Sequence, residues 1–239
     1  MKIYIISLER SYERRRKIIE CMASHGLEFS FFDAVDGQLG HPLFSDYNYK
    51  KCLWFTSGKM PTKGEMGCYA SHYMLWVKCL ENNEPCIILE DDCIILETFK
   101  KHLADINELV LKYNFIRLQD AIRGQLYPVE NGVGYSVSLM EDNFGGAVGY
   151  AISPLAAAKL IKHRWSLPVD CFIGLSYLHG MHSFVLSPAL VAPDYNSPTT
   201  VQLGSDKTKW YRKPTREIYS LYKKLRLKLA YKKNMKEAL

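Results

Sequence analysis

Three adjacent carboxylates follow an apolar run near the middle of the chain. Glu90, Asp91 and Asp92 come directly after CIIL, a continuous apolar run typical of a central strand covered on both faces. In an open α/β sheet, ligands bind outside the carboxyl ends of the strands. Because neighbouring carboxylates repel one another, a bound cation is the simplest way to keep all three ionised. Oxygen ligands suit Mg²⁺ or Mn²⁺ bridging phosphate oxygens, so the pattern predicts a site that assists a departing diphosphate.

The same acids have a plainer interpretation. They could form a solvated acidic turn, or an N-cap cluster for a helix starting near Thr98, because carboxylates favour helix N-termini. The triplet alone leaves both possibilities open.

Further side chains could bind a phosphorylated ligand. Arg10 and Arg14 lie at and just beyond the end of the first predicted strand, where guanidinium groups could bind diphosphate oxygens. Glu65 lies at the start of a predicted helix whose free N–H groups could face the ligand, with Ser71 and His72 one to two turns further on. Core packing with satisfied hydrogen bonds is the alternative for these last three residues.

Two glycines and a late carboxylate complete the candidate residues. Gly145 and Gly146 precede a predicted strand, and backbone without side chains there would let a ligand approach closely, unless they simply form a tight turn. Asp170 opens a helical stretch, where a first-turn acid is a common helix cap. A carboxylate could also accept a proton as a general base.

Strands and helices alternate along most of the chain. The predicted strands are KIYIIS, FSFFDAV, CIIL, FIRLQ, VGYAIS and one or two within HSFVLSPALVAP. The predicted helices are SYERRRKIIECMASHG, GEMGCYASHYMLWVKCLENN, TFKKHLADINELVLKY and PLAAAKLIKH. Residues 38–62 are aromatic and unassigned, and we expect an irregular excursion there. The alternation predicts an α/β domain with a mostly parallel central sheet flanked by helices.

Charge is divided unevenly along the chain. Residues 207–239 hold 12 of the 31 Lys/Arg and 2 of the 25 Asp/Glu, so the end is strongly basic and the remainder mildly acidic. We expect a domain over residues 1–206 and a basic amphipathic tail over 207–239. Four apolar residues of the tail recur at helical spacing: Ile218, Tyr222, Leu225 and Leu229. This pattern is typical of a helix lying in a membrane interface; a helix packed on the body or an unfolded basic end are the alternatives.

Composition bounds the class of protein. With 239 residues and 48% hydrophobic content, the chain can bury a full core. It contains no run of about 18 apolar residues and no pattern of a secretory signal at its start, so we expect a cytoplasmic protein. The seven cysteines are odd in number and form no CxxC pair, which predicts buried free thiols.

Four segments carry a resemblance to a known family. In order, ISLERSYERRR, DAVDG, KGEMGCYASHYMLW and IILEDD closely resemble glycosyltransferase family 25, which includes bacterial lipooligosaccharide β-galactosyltransferases and collagen β-galactosyltransferases. The similarity is strong over residues 1–100 and continues through FGGAVGYAIS, LPVD and SPALVAP. GEMGCYASH is the most specific piece, because no general structural requirement explains that string.

The resemblance implies a GT-A type fold, a nucleotide-sugar donor, commonly UDP-galactose, and inversion at the anomeric carbon. It also implies that Asp92 binds the metal directly, with Asp91 or Glu90 near the donor ribose or the metal-bound waters. Asp170 resembles the family's late Asp and is our candidate for the catalytic base, which takes the proton of the acceptor hydroxyl in a one-step displacement. The chain departs from the family at Ala192-Pro193-Asp194, where members often have Gln, which leaves Asp194 as the candidate for a further metal ligand. The residues predicted to bind the donor are Arg10, Arg14, Asp36, Glu65, Ser71, His72, Glu90, Asp91, Gly145 and Gly146.

The sequence therefore predicts an inverting enzyme, dependent on Mn²⁺ or Mg²⁺, that transfers a hexose from a UDP-sugar to a lipooligosaccharide or lipopolysaccharide glycan. We place it on the inner face of the bacterial inner membrane, held to anionic lipid by the tail. A metal-dependent phosphohydrolase or nucleotidyltransferase is the rival within enzymes, although no second acidic cluster is evident. A nucleic-acid-binding module using the tail is the rival outside them; the acidic body counts against it, and we expect no nucleic-acid partner.

Overall fold

The computed structural model describes residues 1–195 and 208–237. They form an α/β fold. Its strands are β1 (Lys2–Ser7), β2 (Ser30–Asp33), β3 (Cys86–Glu90), β4 (Cys93–Ile95), β5 (Phe115–Arg117), β6 (Leu126–Gly132), β7 (Tyr135–Met140), β8 (Gly149–Ile152), β9 (Phe184–Ser187) and β10 (Val191–Pro193). Its α-helices are α1 (Tyr12–Ser24), α2 (Tyr49–Lys51), α3 (Lys63–Asn82), α4 (Leu103–Tyr113), α5 (Pro154–Leu160), α6 (Val169–Ile173), α7 (Ser176–His179) and α8 (Lys213–Glu237). Shorter turns are 3-10 helices at Pro42–Asp46 and Trp210–Arg212 and a π-helical turn at Cys52–Thr56.

The main sheet has the strand order β2-β1-β3-β8-β5-β9-β7-β6. β1 pairs in parallel with β2 and β3, and β5 pairs in parallel with β9. β8 runs antiparallel between β3 and β5, and the β6–β7 hairpin extends the far edge. The predicted α/β class, with a central sheet flanked by helices, is confirmed. The sheet is mixed because of β8 and the hairpin.

Two cores cover the two faces of the sheet, as the period of two along a strand requires. Ile3 and Ile5 of β1 pack with α1 and α4, whereas Tyr4 and Ile6 pack with α3 and α5. Strands buried on both faces are apolar without interruption, which explains the CIIL run of β3.

Three features were absent from the sequence prediction. The β6–β7 hairpin turns at Val133 and Gly134, and Gly134 has a φ of +80°, which L residues rarely adopt. The predicted irregular excursion over residues 38–62 contains three short helical turns. Among the described residues β10 pairs antiparallel with β4 in a separate two-stranded ladder, with Pro193 opposite Cys93.

The basic tail forms a helix, as predicted, over Lys213–Glu237. It packs on the body through buried residues of its C-terminal half, Leu227, Tyr231 and Asn234. None of the helices within residues 1–195 and 208–237 has the length and apolar composition to cross a membrane. The predicted domain boundary near Asp206 lies outside the described residues, so the division into body and tail stays a prediction.

Candidate active site

A pocket lies between the carboxyl ends of β1 and β3 and the first turns of α3. It encloses about 740 Å³, part of it open to solvent, which is within the usual range for small-ligand sites. Seven of the residues predicted from sequence line it: Arg10, Arg14, Asp36, Ser71, Glu90, Asp91 and Asp92. The fold thus brings the four family-like segments together at one edge of the sheet.

Arg14 holds the acidic strand end together. Its guanidinium pairs with Asp91 and, at 3.2 Å, with Asp92, while the Ser7 hydroxyl donates to Asp91 at 2.6 Å. Burial and the nearby charge of Glu90 raise the pKa of Asp92 to about 6, although Arg14 opposes the shift. Arg14 therefore does not fully offset the cost of ionising the buried Asp92 carboxylate.

Asp92 has capacity for another cationic partner. Its Oδ1 atom is buried and accepts no hydrogen bond from any residue in the described ranges. A buried acceptor without a donor costs free energy, and a hard dication coordinated by carboxylate oxygen would satisfy it. The backbone N–H of Asp194 donates to the backbone carbonyl of Asp92 at 2.7 Å, so the backbones of the two predicted ligands lie next to each other. The residues present fit Mn²⁺ or Mg²⁺.

His72 is buried behind the pocket and contacts Glu90. Its Nε2 lies 3.2 Å from Glu90 Oε1, and its Nδ1 lies 2.8 Å from the Tyr150 hydroxyl, which also accepts from Trp76 Nε1 at 2.9 Å. Both ring nitrogens are thus engaged, and His72 does not line the pocket. This places His72 as a support for Glu90, in contrast to the direct donor contact predicted from sequence.

Cys68 joins His72 and Glu90 in a cluster that sequence reasoning missed. Its Sγ lies 3.8 Å from Glu90 Oε1, and the three possible ligand atoms all lie within 4.8 Å of one another. Burial raises the pKa of the Cys68 thiol well above its ordinary value. Thiolate, imidazole and carboxylate are ligands that Zn²⁺ accepts, so this cluster could hold a softer metal ion than the Asp92 edge. The available signal was the spacing of Cys68 and His72, which puts both on one face of α3.

The loop after β2 is pressed against the start of α3. Ser71 Oγ donates to the Gly67 carbonyl at 2.7 Å and accepts from the Val35 N–H at 2.8 Å. A Cβ on Gly37 would lie 1.7 Å from the Lys63 carbonyl oxygen, so only glycine allows this approach. Ser71 therefore shapes the pocket by joining two of its walls.

Arg10 and Glu65 differ in their positions. Arg10 lies on the pocket rim, is about half exposed and forms an ion pair with Asp36. Glu65 does not line the pocket: its carboxylate accepts from the Thr62 N–H at 2.6 Å, and Thr62 Oγ1 accepts from the Glu65 N–H at 3.1 Å. This reciprocal capping box starts α3, and the sequence Thr62-x-x-Glu65 is its usual signal.

Gly145 and Gly146 lie outside this pocket, around a buried arginine. A Cβ on Gly146 would lie 2.3 Å from Asn143 Oδ1, and Gly145 has a φ of +68°, so local packing alone requires both glycines. The guanidinium of Arg117 donates only to oxygens that carry no formal charge: the carbonyls of Gln119, Asp120, Phe144 and Gly145, and Asn143 Oδ1. Its burial lowers the pKa of Arg117 to about 10. Sequence reasoning missed Arg117 because it lies within the strand FIR.

Asp170 opens α6, and its Oδ1 accepts from the Cys171 N–H at 2.8 Å. Burial raises the pKa of Asp170, and the charge of Glu90 adds to the shift. Asp170 therefore lies within electrostatic reach of the acidic strand end without lining the pocket. Both a cap and a base remain compatible with this position.

Residues 1–173 match the sequence model of a family described as glycosyltransferase family 25 (LPS biosynthesis protein). The chain belongs to glycosyltransferase family 25. The matched residues include β1, α1, α3, the acidic strand end and Asp170, so the resemblance noted from the sequence is confirmed.

Curated relatives agree with this assignment. The chain is 32% identical over 185 residues to a glycosyltransferase 25 family member of Aedes aegypti, and 29% identical over 189 residues to procollagen galactosyltransferase 2 of Mus musculus. It is 29% identical over 190 residues to the lipooligosaccharide biosynthesis protein lic2B of Haemophilus influenzae. These alignments cover 73%, 74% and 73% of this chain, but 30%, 30% and 68% of the respective relatives. The chain thus spans less than a third of the two animal proteins and about two thirds of the bacterial one.

Proposed function

We propose that this glycosyltransferase transfers galactose from UDP-galactose, with inversion and with the help of Mn²⁺ or Mg²⁺, to a lipooligosaccharide or lipopolysaccharide glycan. The observation that carries the proposal is the buried, unpartnered Oδ1 of Asp92 at the floor of a pocket lined by two arginines. A nucleoside diphosphate and a dication would together complement that charge pattern.

The pocket residues divide the work of binding the donor. Asp92, with Asp194 beside it, would hold the metal, which neutralises charge on the leaving diphosphate. Arg10 and Arg14 supply guanidinium groups for phosphate oxygens, while Asp36, Glu90 and Asp91 bind the remaining polar groups of the donor. His72 and Glu65 do not contact the donor in this proposal. His72 orients Glu90, and Glu65 caps the start of α3.

Asp170 is the proposed base. Burial shifts the pKa of Asp170 upwards, towards neutral pH, and a general base works best when its pKa is near the working pH. It takes the proton from the acceptor hydroxyl as that oxygen attacks the anomeric carbon. Gly145 and Gly146 are proposed to shape the approach to this side of the site, through the segment that Arg117 holds.

The acceptor and the location rest on the relatives and on α8. α8 has two apolar faces that differ in exposure. One face packs on the body, whereas the side chains of the other, Ile218, Leu225 and Leu229, are 68%, 58% and 56% exposed. The surrounding lysines and arginines would each add about 1 kcal/mol of attraction to an anionic leaflet. We place the enzyme on the cytoplasmic face of a bacterial inner membrane, where a glycolipid acceptor and a soluble donor meet.

Release of UDP from a panel of UDP-sugars, measured with Mn²⁺ and with EDTA, tests the proposal. We expect release that is selective for one sugar, requires the metal and is lost in Asp92→Asn. Asp33→Asn is the matched control, since Asp33 also ends a strand of the sheet but does not line the pocket. Hydrolysis that ignores the sugar would favour a phosphohydrolase, and binding of oligonucleotides without turnover of any UDP-sugar would favour a nucleic-acid-binding module.

A further inference from the structure

Two cavities flank α8, and Leu167, three residues before Asp170, lines one of them. One, of about 570 Å³, lies against the Phe55–Thr56 turn and Leu167. The other, of about 1120 Å³, lies against the Arg123–Gly124 turn and the end of the β6–β7 hairpin. Ser220 and Lys223 line both cavities, so the two are adjoining parts of one groove along α8.

Aromatic contacts fix α8 next to the chain segment that carries Asp170. α7 begins shortly after α6, and its Tyr177 hydroxyl lies 3.2 Å from the Tyr219 hydroxyl of α8. The guanidinium of Arg226 lies 5.4 Å from the centre of the Tyr177 ring. Lys223 is one helical turn beyond Tyr219, on the same face of α8. Through Leu167 and Tyr177, the groove therefore lies beside the chain segment that carries the proposed base, although Asp170 itself lines neither cavity.

The described residues that line the two cavities include five cationic side chains and three anionic ones, Glu141, Asp142 and Glu217, so the groove has a net positive charge. Lys223, Lys224 and Lys228 line its larger part and form no ion pair within residues 1–195 and 208–237. On the opposite wall, Arg123 pairs with Asp142 at 2.9 Å. Burial raises the pKa of the Cys171 thiol, and the charges of Lys223 and Arg123 oppose that shift, so both cations lie within electrostatic reach of the residue next to Asp170.

We propose that this groove is the acceptor site and that the acceptor is an anionic glycan, a saccharide bearing phosphate or carboxylate groups. The reacting hydroxyl lies at Asp170, and the anionic groups bind Lys223, Lys224 and Lys228. This inference rests on the proposed function, because it takes Asp170 as the base. An anion forms charge-assisted hydrogen bonds with these lysines, whereas a neutral glycan offers only weaker, uncharged acceptors. The exposed apolar residues of α8, Ile218, Leu225 and Leu229, line neither cavity, which leaves the groove to the glycan.

Calorimetric titration with a soluble glycan tests the groove without a membrane. The probe is a de-O-acylated lipooligosaccharide core, used intact, after removal of phosphate by hydrofluoric acid, and after reduction of its carboxyl groups. We expect one of the two treatments to raise the Kd about tenfold or more, which also identifies the anion. Binding of the intact core should weaken as salt rises. Equal affinity for all three forms would overturn the inference.

A double charge reversal tests the residues. Lys223→Glu with Lys228→Glu should weaken binding of the intact core about tenfold. The same variant should bind the core that has lost the recognised anion as the wild type does. Lys232→Glu with Lys236→Glu is the matched control, because both lysines are on the same helix and outside both cavities. Equal losses in the two double variants would indicate a general charge effect and contradict the groove.

UDP release without acceptor separates this inference from the proposed function. If UDP release is normal and the Kd is the same for the intact and the treated cores, the acceptor-site inference is wrong and the proposed donor chemistry is unaffected. If no UDP-sugar is turned over but the core still binds through its anions, the groove stands as an anionic glycan site and the transferase proposal fails.

Discussion

The backbone N–H of Asp194 donates a hydrogen bond to the backbone carbonyl of Asp92, with 2.7 Å between the nitrogen and the oxygen. The β4–β10 ladder begins directly beyond this bond and fixes it. Two carboxylate-bearing residues from distant parts of the chain are therefore held side by side. The ladder thus holds the backbone of Asp194 next to that of Asp92, the residue that we propose as the direct metal ligand.

Asp92→Asn should stabilise the metal-free protein near pH 7. The pKa of Asp92 is raised from 3.8 to about 6, so the folded state retains a proton that the unfolded state releases in that window. Folded stability therefore falls as pH rises through the window, and the variant escapes the loss. After discounting for solvent, the gain should be about 1–2 kcal/mol at pH 7 and shrink towards pH 4. Urea denaturation in EDTA at several pH values measures it.

Mn²⁺ should reverse that order of stability. The ion should raise the Tm of the wild type, because it binds the folded state only, and have little effect on Asp92→Asn. Asp33→Asn should respond as the wild type does. Equal shifts in the wild type and Asp92→Asn would remove Asp92 from the metal site.

Asp170→Asn should lower kcat for transfer by about a hundredfold to ten-thousandfold, with the KM for the donor nearly unchanged. Burial raises the pKa of Asp170, and a base must be deprotonated to act. As pH is lowered, wild-type activity should therefore begin to fall at a pH above the ordinary pKa of an aspartate. The variant should lack this acid limb. The pH profile of kcat/KM decides the question, with the exposed Asp46→Asn as the control; an intact acid limb in Asp170→Asn would exclude it as the base.

Tyr150→Phe should destabilise the protein by about 1–3 kcal/mol, because the buried Trp76 N–H and His72 ring lose a shared partner. It should also raise the KM for the donor, since His72 no longer holds Glu90 in one orientation. Tyr135→Phe is the control, as the Tyr135 hydroxyl makes only a long contact with Glu130 at the far sheet edge. Denaturation and donor kinetics together test this; a stability loss with an unchanged KM would limit the network to a structural role.

Replacing Ile218, Leu225 and Leu229 by serine should reduce binding to anionic vesicles at least tenfold. These side chains are exposed, so folding and UDP release should stay the same. Leu39→Ser with Val133→Ser removes exposed apolar side chains elsewhere and serves as the control. Vesicle sedimentation measures the effect, and full binding by the triple variant would refute the membrane role of α8.

Local signals predicted much of this site. The acidic triplet, the two arginines and Ser71 all line the pocket, as predicted. They were predictable because periodicity and turn residues mark the ends of strands and the starts of helices. Glu65 was predicted to bind the donor, but its carboxylate accepts a hydrogen bond from the Thr62 N–H in a capping box. The position of a residue at a helix start therefore does not reveal the direction of its side chain.

Long-range pairing accounts for what the sequence could not show. Arg117 takes its partners from two separate loops, and His72 meets Glu90 and Tyr150 only when three elements are packed together. No spacing along the chain encodes such contacts. The antiparallel placement of β8 is of the same kind, because its residues read equally well as a parallel strand.

The position of β9 limits how the enzyme can be divided. The stretch that identifies the family ends at residue 173, yet β9 lies between β5 and β7 inside the sheet and begins only at Phe184. A fragment ending at residue 173 would leave two strand edges unpaired and prone to aggregate. During synthesis, the β4–β10 ladder beside the acidic strand end likewise forms late, because β10 begins only at Val191. The recognisable part of this protein is therefore smaller than the part that can fold.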